Sequence, residues 1–138
     1  MFNLAIIQSQ TVEAQFSSSV STGRRYNFTE VPNISRNNLL LYGIEAYTAG
    51  QLTTAASGNT VVAAADQDKI LVTLKDVNNK EFMYQQPLYS LIRSNNDGLV
   101  TAIKPRVINL TDCYIECVDT TGISADEVVV FSLYYDIV

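Results

Sequence analysis

The chain reads as an all-β protein built as an antiparallel β-sandwich. Three observations carry that reading. The closing segment, residues 128–138, alternates two sets of side chains: Val129, Phe131, Leu133, Tyr135 and Ile137 against Val128, Val130, Ser132, Tyr134 and Asp136. A period of two in β-branched and aromatic residues marks a strand. A strand this apolar needs neighbours on both edges, which makes it central in its sheet. Second, short segments of this kind recur, about eight to ten in all, separated by Gly, Pro, Asn and Asp turn chemistry. Third, no stretch keeps a 3.6-residue apolar period for more than about two turns, so long helices have no material to form from.

Each element follows from local chemistry. Residues 1–11 begin with Leu4-Ala-Ile-Ile7, either a short strand or an arm that docks on a neighbour. Residues 11–22 place Val12, Ala14, Phe16, Ser18 and Val20 on one parity and predict a half-buried strand, broken at Gly23. Residues 24–31 alternate Tyr26 and Phe28 against Asn27 and Thr29 and predict another. Pro32 closes it, because proline donates nothing to a ladder and restricts its predecessor. Residues 33–38 are polar and read as loop. Residues 39–48 form a second strongly apolar strand, in which Gly43 marks a bulge or a close backbone approach. Residues 49–66, rich in Thr, Ala, Ser and Gly, read as an extended loop, with 60–64 a candidate short strand.

The clearest hairpin joins residues 69–76 to 80–86 through Val77-Asn-Asn79. It points Ile70, Val72 and Leu74 inward and Thr73 and Lys75 outward, with Phe82 and Tyr84 sharing one side. Pro87 ends it. Residues 88–93 fit a single helical turn, and Ser94-Asn-Asn-Asp-Gly98 is a turn cluster. A short strand over 99–103 is expected to stop at Lys104-Pro105. The final block supplies a strand at 106–110, a corner at Thr111-Asp112, a strand at 113–118, a loop at 119–127 and the closing strand.

Bulk properties bound the function. A chain of 138 residues suits one domain, residues 1–138, with 1–11 as the arm candidate. Hydrophobic content of 47% supports a real core. No run approaches the roughly 18 apolar residues that a membrane-spanning helix needs, so no transmembrane segment is expected. Met1-Phe-Asn-Leu-Ala-Ile-Ile7 lacks a basic stretch before its apolar run, so synthesis in a cytoplasm is expected rather than secretion. Net charge is −5 and the nine Lys and Arg residues are scattered, which disfavours specific nucleic-acid binding. The adjacent pair Arg24-Arg25 reads as a solvated strand edge. Histidine is absent, which removes Ser-His and Cys-His nucleophile arrangements and the commonest metal ligand.

The remaining site candidates read as structural. Cys113 and Cys117, four residues apart in one strand, would sit roughly 13 Å apart at the rise of a strand, too far for a disulfide. Zinc would need further Cys or His ligands. They are expected to be buried, reduced core residues beside Ile115. Asp66-Gln-Asp68 and the loop from Asp119 to Asp126-Glu127 lack calcium-loop spacing and read as solvated charge. No two carboxylates are singled out as a hydrolytic pair. The sequons at Asn27, Asn33 and Asn109 fit chance in a chain rich in Asn, Ser and Thr. The eight tyrosines could stack on sugars, but core edges and subunit contacts use such rings more often. No enzymatic activity and no catalytic, cofactor-binding or metal-ligating residue is expected.

The segment Lys104-Pro-Arg-Val-Ile-Asn-Leu110 leads into Cys113-Tyr-Ile-Glu116, and the last apolar strand runs into Tyr134-Tyr-Asp136. With the missing His, the few charges and the Ser/Thr/Ala loop, this pattern resembles the small single jelly-roll virion proteins of icosahedral phages, most strongly over residues 69–138. The resemblance implies a jelly roll of about eight strands, although composition and periodicity leave immunoglobulin-like order open. It also implies a structural penton or minor capsid subunit that forms a cyclic homo-oligomer, a pentamer by expectation. Its partners would be copies of itself and other capsid proteins, its location the virion, and it assigns no functional residue. The competing expectation is a carbohydrate- or receptor-binding sandwich, such as a spike or fibre head.

Overall fold

The computed structural model describes residues 8–17, 19–29 and 39–137. Eight strands follow in chain order: β1 (Gln8–Gln15), β2 (Tyr26–Asn27), β3 (Leu39–Tyr47), β4 (Ile70–Lys75), β5 (Glu81–Pro87), β6 (Thr101–Ile108), β7 (Tyr114–Cys117) and β8 (Val128–Ile137). They form two four-stranded sheets in the orders β1-β8-β3-β6 and β2-β7-β4-β5, with antiparallel ladders throughout. The chain changes sheet at every connection except the β4–β5 hairpin. That is jelly-roll connectivity, and it decides between the two orders left open by composition.

The closing strand is central, as its apolar character requires: β8 pairs with β1 along one edge and β3 along the other. Its inward set, Val129, Phe131, Leu133 and Tyr135, is buried against Ile70, Val72 and Leu74 of β4 and Ile115 of β7 in a single core. The Phe28 and Phe131 rings stack at 4.7 Å, and Phe16 meets Tyr26 edge-on at 5.0 Å. Gly43 lies where the β3 register shifts. A Cβ there would come within 3.2 Å of both Thr101 O and a Val100 methyl, so the bulge and the close approach are one feature. Asn79 takes a φ of 62° in the β4–β5 turn, the left-handed conformation that its residue type tolerates.

The structure corrects several boundaries. The strand expected over 11–22 is β1, Gln8–Gln15, and the serine-rich part lies outside it. There the Ser17 hydroxyl donates to Ser19 O, a local bond that competes with a ladder. Over the described part of the strand expected at 24–31, residues 24–29, only Tyr26–Asn27 is strand, because the chain changes partners. Phe28 N still donates to Cys113 O of the second sheet, whereas Thr29 N already donates to Glu13 O of the first. The strands expected at 99–103 and 106–110 are one strand, β6. Pro105 is tolerated inside it because β6 is an edge, where a missing N–H breaks no ladder. Residues 60–64 form isolated bridges at Thr60 and Val61 rather than a strand. Phe82 and Tyr84 do not share an environment: the positive φ of Gln85 and an irregular register leave Phe82 half-buried under the Arg106 guanidinium and Tyr84 exposed. Thr73 faces outward as expected but is fully buried, accepting from Gln85 N. The expectations for residues 1–7 and 31–38 lie outside the described residues.

The loop after β3 has a definite role. Where β3 stops, at Tyr47 opposite Val130, residues 60–62 take its place beside Val128. Val61 and Ala55 then bury Val128 and Val130 on the outer side of the first sheet, with Tyr47 and Leu52 packed against them. Ser57 reaches β1, where its N and Oγ both donate to the Glu13 carboxylate at 3.2 and 2.6 Å. The segment is therefore a strap across β3, β8 and β1.

Candidate functional site

Beside the strap, the outer side of β3 and β8 carries polar residues where polar side chains usually meet solvent. Strand alternation puts Glu45 and Tyr47 on this side of β3 and Ser132 and Tyr134 on this side of β8, with Glu45 directly opposite Ser132. Glu45 is nonetheless only 3% exposed. A buried carboxylate must be paired and hydrogen-bonded to persist, and this one is. Tyr134 and Tyr47 donate their hydroxyls to its Oε1 at 2.5 and 2.9 Å. Arg93 donates Nη2 to Oε1 and Nε to Oε2, both at 3.0 Å, in the forked geometry that a guanidinium and a carboxylate share. Arg93 also donates to Tyr134 Oη at 3.2 Å.

Arg93 arrives from the turn after the 3-10 segment Leu88–Leu91. Ile92 bridges to Ala46 alongside β3, which fixes the base of the arginine one residue from Glu45 across the backbone. The charge balance at Glu45 follows. Burial pushes the carboxyl upward, but the hydrogen bonds from Tyr134, Tyr47 and Arg93, with the Arg93 charge, outweigh it and hold the group below its usual range. Burial, then the bond to Glu45, pushes the Tyr47 phenol up to about 12, so it stays a donor at neutral pH. Glu45 is thus an ionised acceptor with both oxygens engaged, a poor shape for a proton-transfer catalyst.

These groups border a hollow of about 350 Å³ lined by Glu45, Ala46, Tyr47, Gln51, Arg93 and Tyr134. Tyr47 and Tyr134 supply its aromatic lining, and Ala46 borders it from the strand, its side chain belonging to the inner core. A second hollow, of about 390 Å³, lies between residues 58–60 and 124–127. Its carboxylates serve the local backbone and side chains: Glu127 accepts from Ser124 N at 2.7 Å and Asp126 from Gln15 Nε2 at 3.2 Å.

Other sequence candidates are placed separately. Cys113 and Cys117 are buried and unbridged, and burial pushes their thiols up to about 12 and about 11. Cys113 precedes β7 and accepts from Lys75 N at 3.4 Å. Asp66 departs from the solvated reading. It is buried, paired at 2.9 Å with Lys69, whose ammonium also donates to Thr121 O. Asp119 accepts from Thr121 N at 2.9 Å. Among the described residues no group of three or more His, Cys, Asp or Glu is placed to hold a metal ion. Arg24 and Arg25 are exposed but lie over tyrosine rings, Tyr26 at 5.8 Å and Tyr114 at 4.4 Å. Of the sequon asparagines, Asn27 donates to Thr111 O, Asn109 to Asp112 Oδ2, and Asn33 lies outside the described residues. Among the described residues no helix is long and apolar enough to cross a membrane.

The sequence reading missed the Glu45 site. Its one signal was a carboxylate inside a segment otherwise apolar enough to be central. Its arginine lies 48 residues away, and no spacing rule links them. No protein-family model matches the chain, and neither a curated protein nor a solved structure matches it.

Proposed function

We propose that the chain is a structural virion protein, a capsid vertex (penton) or minor capsid subunit that assembles as a cyclic homo-oligomer. The observation that carries this reading is the jelly-roll strand order in a chain of this size, an architecture that viral capsid domains share. Fold alone does not assign function, so the surface matters. Strand β5 and the crossover to β6 expose Tyr84, Tyr89 and Leu99 at 57%, 47% and 65%, side chains of the kind that subunit contacts bury. The partners of this reading are further copies of the chain, with a pentamer the expected ring, and other capsid proteins. The chain is made in the host cytoplasm and resides in the virion.

Mass photometry and sedimentation velocity test the proposal. A closed ring is expected, with an interface above about 1,000 Å². Leu99→Asp is expected to shift the ring toward a folded monomer, with the strand content kept in circular dichroism and the melting temperature no longer dependent on protein concentration. A monodisperse monomer at high concentration overturns the reading. The alternative, a carbohydrate- or receptor-binding sandwich of the spike or fibre-head type, has one observation in its favour: the tyrosine-walled hollow at Glu45.

A further inference from the structure

We propose that the hollow at Glu45 is a binding site for a carboxylated sugar of the uronic-acid class, with the spare donors of Gln51 and Arg93 taking the carboxylate and the tyrosine rings taking the sugar face. This rests on the carbohydrate-binding reading and is independent of whether the chain forms rings.

The polar atoms left over by internal bonding decide what the hollow can take. Gln51 Oε1 accepts from Thr48 N at 2.9 Å and from Thr48 Oγ1 at 3.0 Å. A backbone N–H can only donate, so the atom facing it is the amide oxygen. The amide nitrogen of Gln51, with two N–H groups, has no hydrogen-bond partner among the described residues. Arg93 uses Nε and Nη2 on Glu45 and Tyr134, leaving both N–H groups of Nη1 without a partner among the described residues on a side chain that is 49% exposed. The acceptors are in the opposite condition. Glu45 Oε1 takes three donors and Oε2 takes one.

A ligand for this hollow must therefore bring acceptors. A carboxylate supplies two oxygens, one for Arg93 Nη1 and one for the Gln51 amide, with the charge that strengthens each bond. The Arg93–Glu45 pair is formally neutral, so one further negative charge meets no uncompensated anion within the pair. The volume, about 350 Å³, lies at the small end of ligand pockets and suits a monosaccharide. The rings of Tyr47 and Tyr134 offer flat apolar walls to the C–H face of a pyranose.

The test is an NMR titration of the full chain, reading side-chain amide and guanidinium resonances, with D-glucuronate, D-glucose and cyclohexanecarboxylate as separate probes. Glucuronate is expected to shift the Gln51 side-chain amide and to saturate with a Kd on the order of 1 mM, with glucose and cyclohexanecarboxylate each about tenfold weaker or more. Gln51→Glu keeps an oxygen for Thr48 to donate to and turns the free amide into a second carboxylate oxygen. It is expected to weaken glucuronate about tenfold or more with an unchanged melting temperature, since a charge-assisted bond is replaced by repulsion. Equal binding of glucose overturns the acidic-sugar assignment while sparing the carbohydrate reading. Equal binding of cyclohexanecarboxylate shows that the carboxylate alone is recognised and overturns both. Silence of glucuronate and glucose alike also removes both. Undiminished glucuronate binding by Gln51→Glu overturns the assignment to this hollow.

Discussion

In the sheet β1-β8-β3-β6, backbone covers the outer side: the strap crosses from β3 to β1 and closes over Val128 and Val130. In the sheet β2-β7-β4-β5, side chains cover it. Tyr114 is buried beneath the Arg25 guanidinium at 4.4 Å and near the Lys75 ammonium at 5.9 Å. Both covers exclude water, but they leave different chemistry behind. A strap has edges, and at one edge it leaves a hollow whose carboxylate accepts four hydrogen bonds and whose lining holds donors without a partner among the described residues. Flexible side chains settle onto the ring they cover. They bring charge to the outer sheet face, while the Tyr114 hydroxyl beneath has no hydrogen-bond partner among the described residues. The sandwich is thus asymmetric, with the buried Glu45 network on the outer side of the first sheet.

The largest test of this comparison concerns what the sheets share. Phe131 is fully buried between them and stacks on Phe28. Phe131→Ala is expected to lower stability by about 3–5 kcal/mol in chemical denaturation, combining lost transfer energy with a cavity. A loss below about 1 kcal/mol would show that the inward set of β8 does not anchor both sheets, and that the two outer faces must be weighed first.

Next in size is the polar part of the first sheet's outer face. Glu45→Gln removes a charge that accepts from two phenols and a guanidinium. Hydrogen bonds to charged groups contribute about 1.5–3 kcal/mol, so a loss of about 2 kcal/mol is expected, moderated because Arg93 can turn to water. The pH dependence has a defined sign. The folded carboxyl titrates below its unfolded value near 4.5, so the native state holds fewer protons and stability rises with pH across that interval. The gap between parent and Glu45→Gln is therefore full above about pH 4.5 and closes as the pH falls through the folded value. Calorimetric melting of both proteins from pH 7 down to pH 3 measures it. A gap that persists unchanged at pH 3 would mean that the carboxylate charge is not what holds this face together.

The same asymmetry explains what could be read from the sequence. The inner layer was legible because each strand has only to alternate. Ile70, Val72 and Leu74, and Val129, Phe131 and Leu133, all point where a period of two puts them. The centrality of β8 was legible for the same reason. Its second buried face was also written in the chain, since Val128 and Val130 make the run nearly continuous in apolar residues, which signals cover on both sides. The partner was hidden. A strap made of Thr, Ala, Ser and Gly shows no period, because Ala55 and Val61 bury themselves through isolated bridges rather than a ladder. Glu45 has no local mark that separates it from an ordinary outward charge on a strand, and nothing nearby announces an arginine 48 residues on. The corner at Phe28 was missed because alternation continues through it while the hydrogen-bond partner changes. Pro105 was read as a stop because edge position is a property of the sheet.

The smallest expected effect lies on the second sheet and sharpens the contrast most directly. Arg25 is exposed, and its contact with Tyr114 is a cation over a ring face. Such contacts contribute about 0.5–1 kcal/mol at exposed sites, so Arg25→Ala should lower stability by less than about 1 kcal/mol. Part of that loss is offset, because removing the guanidinium lets water reach the unpartnered Tyr114 hydroxyl. Arg25→Lys should fall between the two, since an ammonium keeps the charge but loses the flat stacking surface. Urea denaturation of the three proteins gives the ranking. If Arg25→Ala destabilises more than Glu45→Gln, side-chain cover is worth more than the strap's polar edge. The second sheet's outer face would then be the place where the molecule is tightly organised.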